Sequence, residues 1–260
     1  MWAHLRELIF PMPGACLWCG LQGAPAVCGR CRVELSWLPP DRCPRCGRPV
    51  AVGPWGRAAA AGAGTAAGPV RVPPAPPRCW SCRVRPPAFA GVTCLGLYRG
   101  LLKWTVNAVK EKGQRFLLPP LAEMLARRLL ADGVVFDLVT APPLDPRRLR
   151  RRGHHPALAL ADQLAVLCGR PFLPGALRRT RAVRAQSGLT GAQRRRNLRG
   201  AAEAVPHAAR RLAGRRVLLV DDVITTGSTL DAAARALLAA GAVGVWAAVL
   251  ADNGPRRALP

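Results

Sequence analysis

A continuous apolar run, Val217, Leu218, Leu219 and Val220, leads directly into Asp221, Asp222, Val223, Ile224, Thr225, Thr226, Gly227, Ser228 and Thr229. Such a run predicts a strand buried on both faces, as in a parallel sheet covered by helices. Ligands bind such sheets at the carboxyl ends of their strands. The hydroxyls of Thr225, Thr226, Ser228 and Thr229 offer donors, and Gly227 lets the main chain approach an anion closely. A helix beginning at residue 228 adds open N–H groups and its positive end. Asp221 and Asp222 repel a phosphate but accept hydrogen bonds from sugar hydroxyls. The segment therefore predicts a site for a phosphorylated sugar. The plainer alternative is a strand exit with a helix cap, but a cap alone needs neither two consecutive acids nor four hydroxyls.

The rest of the C-terminal region agrees with this fold. Periodicity predicts strands at residues 92–98, 136–140, 217–220 and 243–250, and helices at 101–110, 118–130, 156–167 and 228–240. Strands alternating with helices define an α/β domain with a parallel sheet. Upstream, residues 3–10 read as a short amphipathic helix stopped by Pro11 and Pro13. Residues 16–82 are turn-rich and cysteine-studded. Within them, residues 57–77 form an Ala/Gly/Pro-rich insertion with linker composition. The expected division is residues 1–88 and residues 89–260.

Eight cysteines form four Cys-x-x-Cys knuckles: Cys16/Cys19, Cys28/Cys31, Cys43/Cys46 and Cys79/Cys82. One such pair is weak evidence, but four within so short a stretch argue for structural zinc. Two thiolates three residues apart in a tight turn point at one ion, and two turns complete a tetrahedron. Eight thiolates fit two ions. Sequential sharing joins Cys16, Cys19, Cys28 and Cys31 in one site and Cys43, Cys46, Cys79 and Cys82 in the other. Interleaved sharing satisfies the same spacing. Disulfides and redox pairs are the competing readings. Cys94 and Cys168 stand alone in apolar stretches and are expected to be small core residues.

The formal net charge is +25, and 14 arginines face two acids between residues 141 and 200. A field this positive attracts phosphates, nucleotides and nucleic acid. Only three lysines occur, Lys103, Lys110 and Lys112, so compositional bias toward arginine contributes too. No apolar stretch is long enough for a membrane helix. Residues 1–10 carry Arg6 and Glu7 and lack the apolar core of a signal peptide. A cytoplasmic protein without membrane insertion is expected, its cysteines reduced or metal-bound.

Several motifs together carry a resemblance. They are the cysteine knuckles, Val109-Lys110-Glu111-Lys112-Gly113, and Pro142-Pro143-Leu144 followed by Arg147, Arg148, Arg151, Arg152 and Gly153. Gln186-Ser187-Gly188-Leu189, Arg194-Arg195-Arg196-Asn197 and the segment 217–229 complete the set. The last segment resembles the phosphoribosyl pyrophosphate (PRPP) motif of type I phosphoribosyltransferases. The chain as a whole resembles the ComF family (ComFC and GntX-like proteins), a zinc ribbon followed by a phosphoribosyltransferase-like domain. The resemblance implies that Thr225, Thr226, Gly227, Ser228 and Thr229 hold a ribose 5-phosphate, and Asp221 and Asp222 the ribose. It places Pro143 and Leu144 against the pyrophosphate, with Arg147, Arg148, Arg151 and Arg152 as candidate clamps and Lys110 also within reach of phosphate. It implies Mg²⁺ with PRPP, and a link to DNA uptake or use. Where the family continues with Phe-Asn-Gln, this chain has His154, His155 and Pro156; ordinary capping or packing is the favoured role for the two histidines. The alternative function is a non-catalytic adaptor that binds single-stranded DNA through its arginines and zinc ribbon beside a helicase-type partner. In that case Trp18, Trp55 and Trp80 are candidates to stack bases.

Overall fold

The computed structural model describes residues 14–39, 42–48, 50, 78–143, 149–150, 153–180 and 202–253. The expected helix at 3–10, the insertion at 57–77, and Leu144, Arg147, Arg148, Arg151 and Arg152 lie outside these residues.

A four-stranded, wholly parallel sheet forms the centre, from β1 (Gly91–Leu97), β2 (Leu138–Thr140), β5 (Arg216–Ile224) and β6 (Gly244–Asp252), in the spatial order β1-β6-β5-β2. β5 is an interior strand, paired with β6 and β2. Its residues Val217 to Val220 are all at most 1% exposed, as the apolar run predicts. Pleating sends alternate side chains to opposite faces. Leu218 and Val220 join the core formed with α3 (Gly100–Lys112), α4 (Leu118–Ala131) and α5 (Pro156–Leu167). Val217 and Leu219 join the second core, built with α6 (Pro206–Leu212) and α7 (Ser228–Ala239). With few aromatics in the chain, leucines such as Leu121, Leu125, Leu160 and Leu164 fill the first core.

Local chemistry sets the helix starts. Pro119 and Pro120 lie in the first turn of α4, and Pro156 opens α5, where a missing N–H costs nothing. α3 carries Thr105, Val106, Ala108 and Val109 inward and ends at Gly113. A bidentate pair between Arg216 and Asp137 ties the start of β5 to the segment entering β2, with contacts of 3.2 and 2.8 Å.

The structure departs from the sequence expectation in several places. β5 extends four residues beyond Val220, so Asp221 and Asp222 stand on the strand rather than in the loop after it. Pairing with β6 continues to Ile224–Asp252, which makes extended backbone favourable there despite the acids. Among the described residues, the cysteine-rich region contains two short helices, α1 (Gly29–Leu35) and α2 (Trp80–Val84), where the sequence predicts turns. An antiparallel pair, β3 (Leu177–Arg179) and β4 (Ala202–Ala204), and the seven-residue α6 also went unread. Cys94 is a core residue at 1% exposure, its thiol pushed up to about 12 by burial. Cys168 is only half-buried, at the C-terminal end of α5. No helix among the described residues is long and apolar enough to cross a membrane.

Candidate functional site: an anion turn at the end of β5 and two four-cysteine clusters

β5 ends in the turn Thr225–Thr226–Gly227, and α7 starts at Ser228. Gly227 is the helix N-cap and has φ +76°, a left-handed conformation that glycine adopts without penalty. The first intrahelical bond runs from Asp231 N–H to Gly227 O at 2.8 Å. The Ser228 amide points at Thr226 Oγ1 at 3.4 Å. The first helical turn follows the strand exit directly, so its amides without intrahelical partners and the positive end of the helix dipole lie next to the end of β5. The hydroxyls are less independent than their number suggests. Thr226 Oγ1 and Ser228 Oγ lie 2.7 Å apart, so one donates to the other and the pair keeps one hydrogen for an outside acceptor. Ser228 is 5% exposed, whereas Thr225, Thr226 and Thr229 are half-buried.

The two acids do not act as twins. Asp221 Oδ1 accepts from the Asp222 amide at 2.9 Å. Asp222 forms an ion pair with Lys110 Nζ at 2.8 Å, both side chains being 17% exposed. The structure thus brings together the last turn of α3 and the end of β5. Pro143, half-buried, follows the adjacent strand β2.

His154 and His155 brace this corner. A carbonyl can only accept, so His154 Nε2–H donates to Val109 O at 2.7 Å, beside Lys110. His155 Nδ1 accepts the Leu158 amide at 3.2 Å and so caps α5. Its Nε2–H donates to Pro142 O at 3.3 Å. Capping and packing account for both side chains, as the sequence favoured. Burial pushes His155 below its ordinary value, against the opposing pull of the Pro142 carbonyl and of the nearby Asp222 charge.

The cysteines gather by fours in sequential order: Cys16, Cys19, Cys28 and Cys31 in one cluster, Cys43, Cys46, Cys79 and Cys82 in the other. Within each, all four sulfurs lie within 4.8 Å of one another. Cys19 and Cys28 sulfurs are 3.6 Å apart and those of Cys46 and Cys79 3.5 Å. Disulfide sulfurs sit about 2.05 Å apart, whereas a tetrahedral zinc with Zn–S near 2.3 Å separates them by about 3.8 Å. The donor sets therefore fit one structural zinc each, with no open position for catalysis. Gly20 and Gly47 follow the second cysteine of their knuckles at φ +71° and +74°. Their amides close the turns onto Cys16 O and Cys43 O at 2.9 and 2.8 Å. In the second cluster, hydrogen bonds from Cys46 and Cys82 hold the Cys43 thiol far below the usual range, while Cys43 pushes Cys46 far above it.

The clusters sit in different surroundings. Cys16, Cys28 and Cys31 belong to the same core as α3, α4 and α5, and Trp18 donates its indole N–H to Thr105 Oγ1 at 2.7 Å. Trp18 thus packs the core instead of offering a stacking face. The second cluster forms its own small core and faces the anion turn across a cavity of about 290 Å³. Arg48, Trp80, Thr225, Thr226, Gly227 and Ser228 are among its walls. Trp80 is 61% exposed there. The sequence reading missed Arg48. The signal was available in the three-residue spacing of Arg42, Arg45 and Arg48 around Cys43 and Cys46.

A parallel sheet with an acid pair and a hydroxyl turn on its interior strand, joined to two four-cysteine clusters, defines a phosphoribosyltransferase-like protein with a double zinc ribbon. Two family models agree. Residues 149–260 match the phosphoribosyl transferase domain, and residues 5–61 match the double zinc ribbon domain. The chain is similar to the DNA utilization protein YhgH of Salmonella typhi, 29% identical over 252 residues that cover 90% of this chain and 96% of that protein. It is 30% identical to competence protein F of Haemophilus influenzae over 175 residues, covering 65% and 76% of the two chains. Among solved structures, the glutamine PRPP amidotransferase of B. subtilis aligns at 27% identity and TM-score 0.35, covering 51% of this chain and 26% of that one. The chain belongs to the ComF family.

Three outcomes are expected. Elemental analysis should find two zinc ions per chain and one after Cys82→Ser. Removing the first cluster should lower the stability of the whole domain, because it shares the main core, whereas removing the second should not. The cap at His155 requires an unprotonated Nδ1. The folded-state value lies below the ordinary 6.5, so its stabilisation is complete above that pH and is lost as pH falls from 6.5 towards the folded value. Between about pH 7.5 and about pH 5.5 the wild-type melting temperature should fall further than that of His155→Asn, which caps without titrating. Parallel curves would remove His155 from this role.

Proposed function

We propose that the protein binds PRPP, or a related ribose 5-phosphate ligand, at the end of β5. The observation that carries this reading is the left-handed turn at Gly227, φ +76°, which joins the end of β5 and its two acids to the N-terminus of α7, where the first amides lack intrahelical partners. In this reading Thr225, Thr226, Gly227, Ser228 and Thr229 hold the 5-phosphate, and Asp221 and Asp222 the ribose hydroxyls. Lys110, Pro143 and Leu144 lie along the pyrophosphate, with Arg147, Arg148, Arg151 and Arg152 as guanidinium clamps suited to phosphate oxygens. Residues 1–88 form the zinc-bearing unit and residues 89–260 the ligand-binding one.

Magnesium enters with the ligand. The groups of three or more candidate metal ligands among the described residues are cysteine clusters, and Asp222 is already paired with Lys110. Mg²⁺ commonly takes one or two carboxylates together with substrate phosphates, which suits this corner. When bound it would offset charge on the departing pyrophosphate. Lys110 can then exchange Asp222 for a phosphate oxygen, so one cation serves both states. The engagement of His154 and His155 in backbone bonds favours ligand binding over acid–base work by either.

Calorimetric titration with Mg²⁺ and PRPP tests the assignment. Loss of hydrogen bonds to a charged group should raise the dissociation constant of Asp222→Asn about 10- to 100-fold. Equal affinity of variant and wild type would refute it, and pyrophosphate release with a panel of bases would reveal turnover.

A second reading is supported by the names of the relatives, a DNA utilization protein and a competence protein, and by the net charge of +25. In it the arginine-rich surface binds single-stranded DNA beside a helicase-type partner. The logarithm of the affinity should then fall with the logarithm of salt concentration, by about 0.7 per phosphate contacted. A flat dependence would reject phosphate contacts.

A further inference from the structure

Arg42, Arg45 and Arg48 are spaced three residues apart around Cys43 and Cys46; Arg42 and Arg48 reach out of the second cluster to the sheet domain, and Arg45 to the segment that leads into it. Arg42 Nη2 lies 4.0 Å from Asp252 Oδ2 at the end of β6. Arg45 Nη2 donates to Pro87 O at 2.8 Å, just before β1. Arg48 Nη2 donates to Thr226 O at 3.4 Å, inside the anion turn. The knuckle holds Arg48 from behind, because the Cys43 amide donates to Arg48 O at 2.8 Å and the Gly47 amide to Cys43 O at 2.8 Å.

The Arg48 contact falls on a sensitive peptide. In a trans peptide the carbonyl and the following N–H point in opposite directions. The direction of Thr226 O therefore sets that of the Gly227 N–H. Gly227 resists a flip of this peptide less than any other residue would, since it tolerates both signs of φ. A guanidinium fixed on Thr226 O holds the carbonyl on the cavity side and turns the Gly227 N–H to the opposite side. The other cluster has no such reach: none of Cys16, Cys19, Cys28 and Cys31 lines this cavity, and its buried cysteines pack into the main core.

We propose that Arg48 is a positioning residue for the anion turn, and that the second four-cysteine centre acts on ligand binding by holding Arg48 in place. This rests on the reading of residues 225–229 as a phosphate site, and it assigns the two metal centres different work. The first belongs to the core, and the second sets the orientation of the Thr226–Gly227 peptide.

Two measurements on the full chain separate this proposal from the ligand reading. Amide hydrogen exchange in peptides covering residues 225–230, without ligand, should be roughly 5- to 10-fold faster in Arg48→Ala, the loss expected for one long hydrogen bond of ordinary strength. Arg48→Lys, which can still donate to Thr226 O, should restore slow exchange, and Arg83→Ala on α2 should leave it unchanged. Cys82→Ser should accelerate exchange to the same degree, and adding Arg48→Ala to it should bring no further change, because both act through one contact. Calorimetry with Mg²⁺ and PRPP, and with inorganic phosphate, should show affinity falling by the same factor. Unchanged exchange in Arg48→Ala overturns the positioning role whatever the binding result. Faster exchange in a protein whose wild type binds neither PRPP nor phosphate upholds the positioning role and overturns the ligand reading.

Discussion

Burial of β5 on both faces is the constraint from which the rest of the molecule follows. Val217, Leu218, Leu219 and Val220 supply apolar surface to two cores at once. A fully buried side chain of this kind contributes about 1.5–3 kcal/mol relative to exposure. No position in a two-layer antiparallel sheet with one wet face rewards four such residues in succession. The strand must therefore lie inside a parallel sheet with helices on both sides, and its exit must open at the sheet's carboxyl edge. Pairing with β6 then carries the strand on through Asp221 and Asp222, and the two acids come to point to opposite faces. One of them meets Lys110, so the two acids have unlike surroundings.

The cysteine centres solve a different problem. The second cluster has a buried core of three cysteines, Cys43, Cys46 and Cys82, far too little apolar surface to hold a fold alone. A structural zinc supplies roughly 10–16 kcal/mol in model peptides, which replaces a hydrophobic core with four short bonds. The first cluster instead merges with the leucine-rich core around α3 and α4. The same motif, used twice, is thus embedded once and cantilevered once. Among the described residues, the cantilevered copy lines a gap against the turn at residues 225–227, and Arg42 and Arg48 bridge from it to the sheet.

Much of this arrangement was legible from residue order. The strand at 217–220, the helices at 156–167 and 228–239, and the tight knuckle turns at Gly20 and Gly47 all follow from local rules of periodicity, capping and left-handed glycine. What escaped has a common cause. α6 is short and β3 and β4 have three residues each, so neither period repeats often enough to register. α1 and α2 are anchored by cysteines rather than by an apolar stripe. His154 and His155 looked like a departure from the family's pattern, and their partners, Val109 O and Pro142 O, are backbone atoms that leave no trace in side-chain chemistry.

By itself the sequence determined the fold class, the location of the glycine turn after β5 and the presence of eight cysteines in four knuckles. Each of these depends on residues within a few positions of one another, where backbone geometry leaves little choice. Tertiary structure alone decided that the cysteines group sequentially, that Asp222 pairs with Lys110 across more than a hundred residues, and that Arg48 Nη2 comes within 3.4 Å of the Thr226 carbonyl. Those are contacts between elements far apart in the chain, and no local period or spacing encodes a distance that arises only when the sheet, its helices and the second metal knuckle pack together.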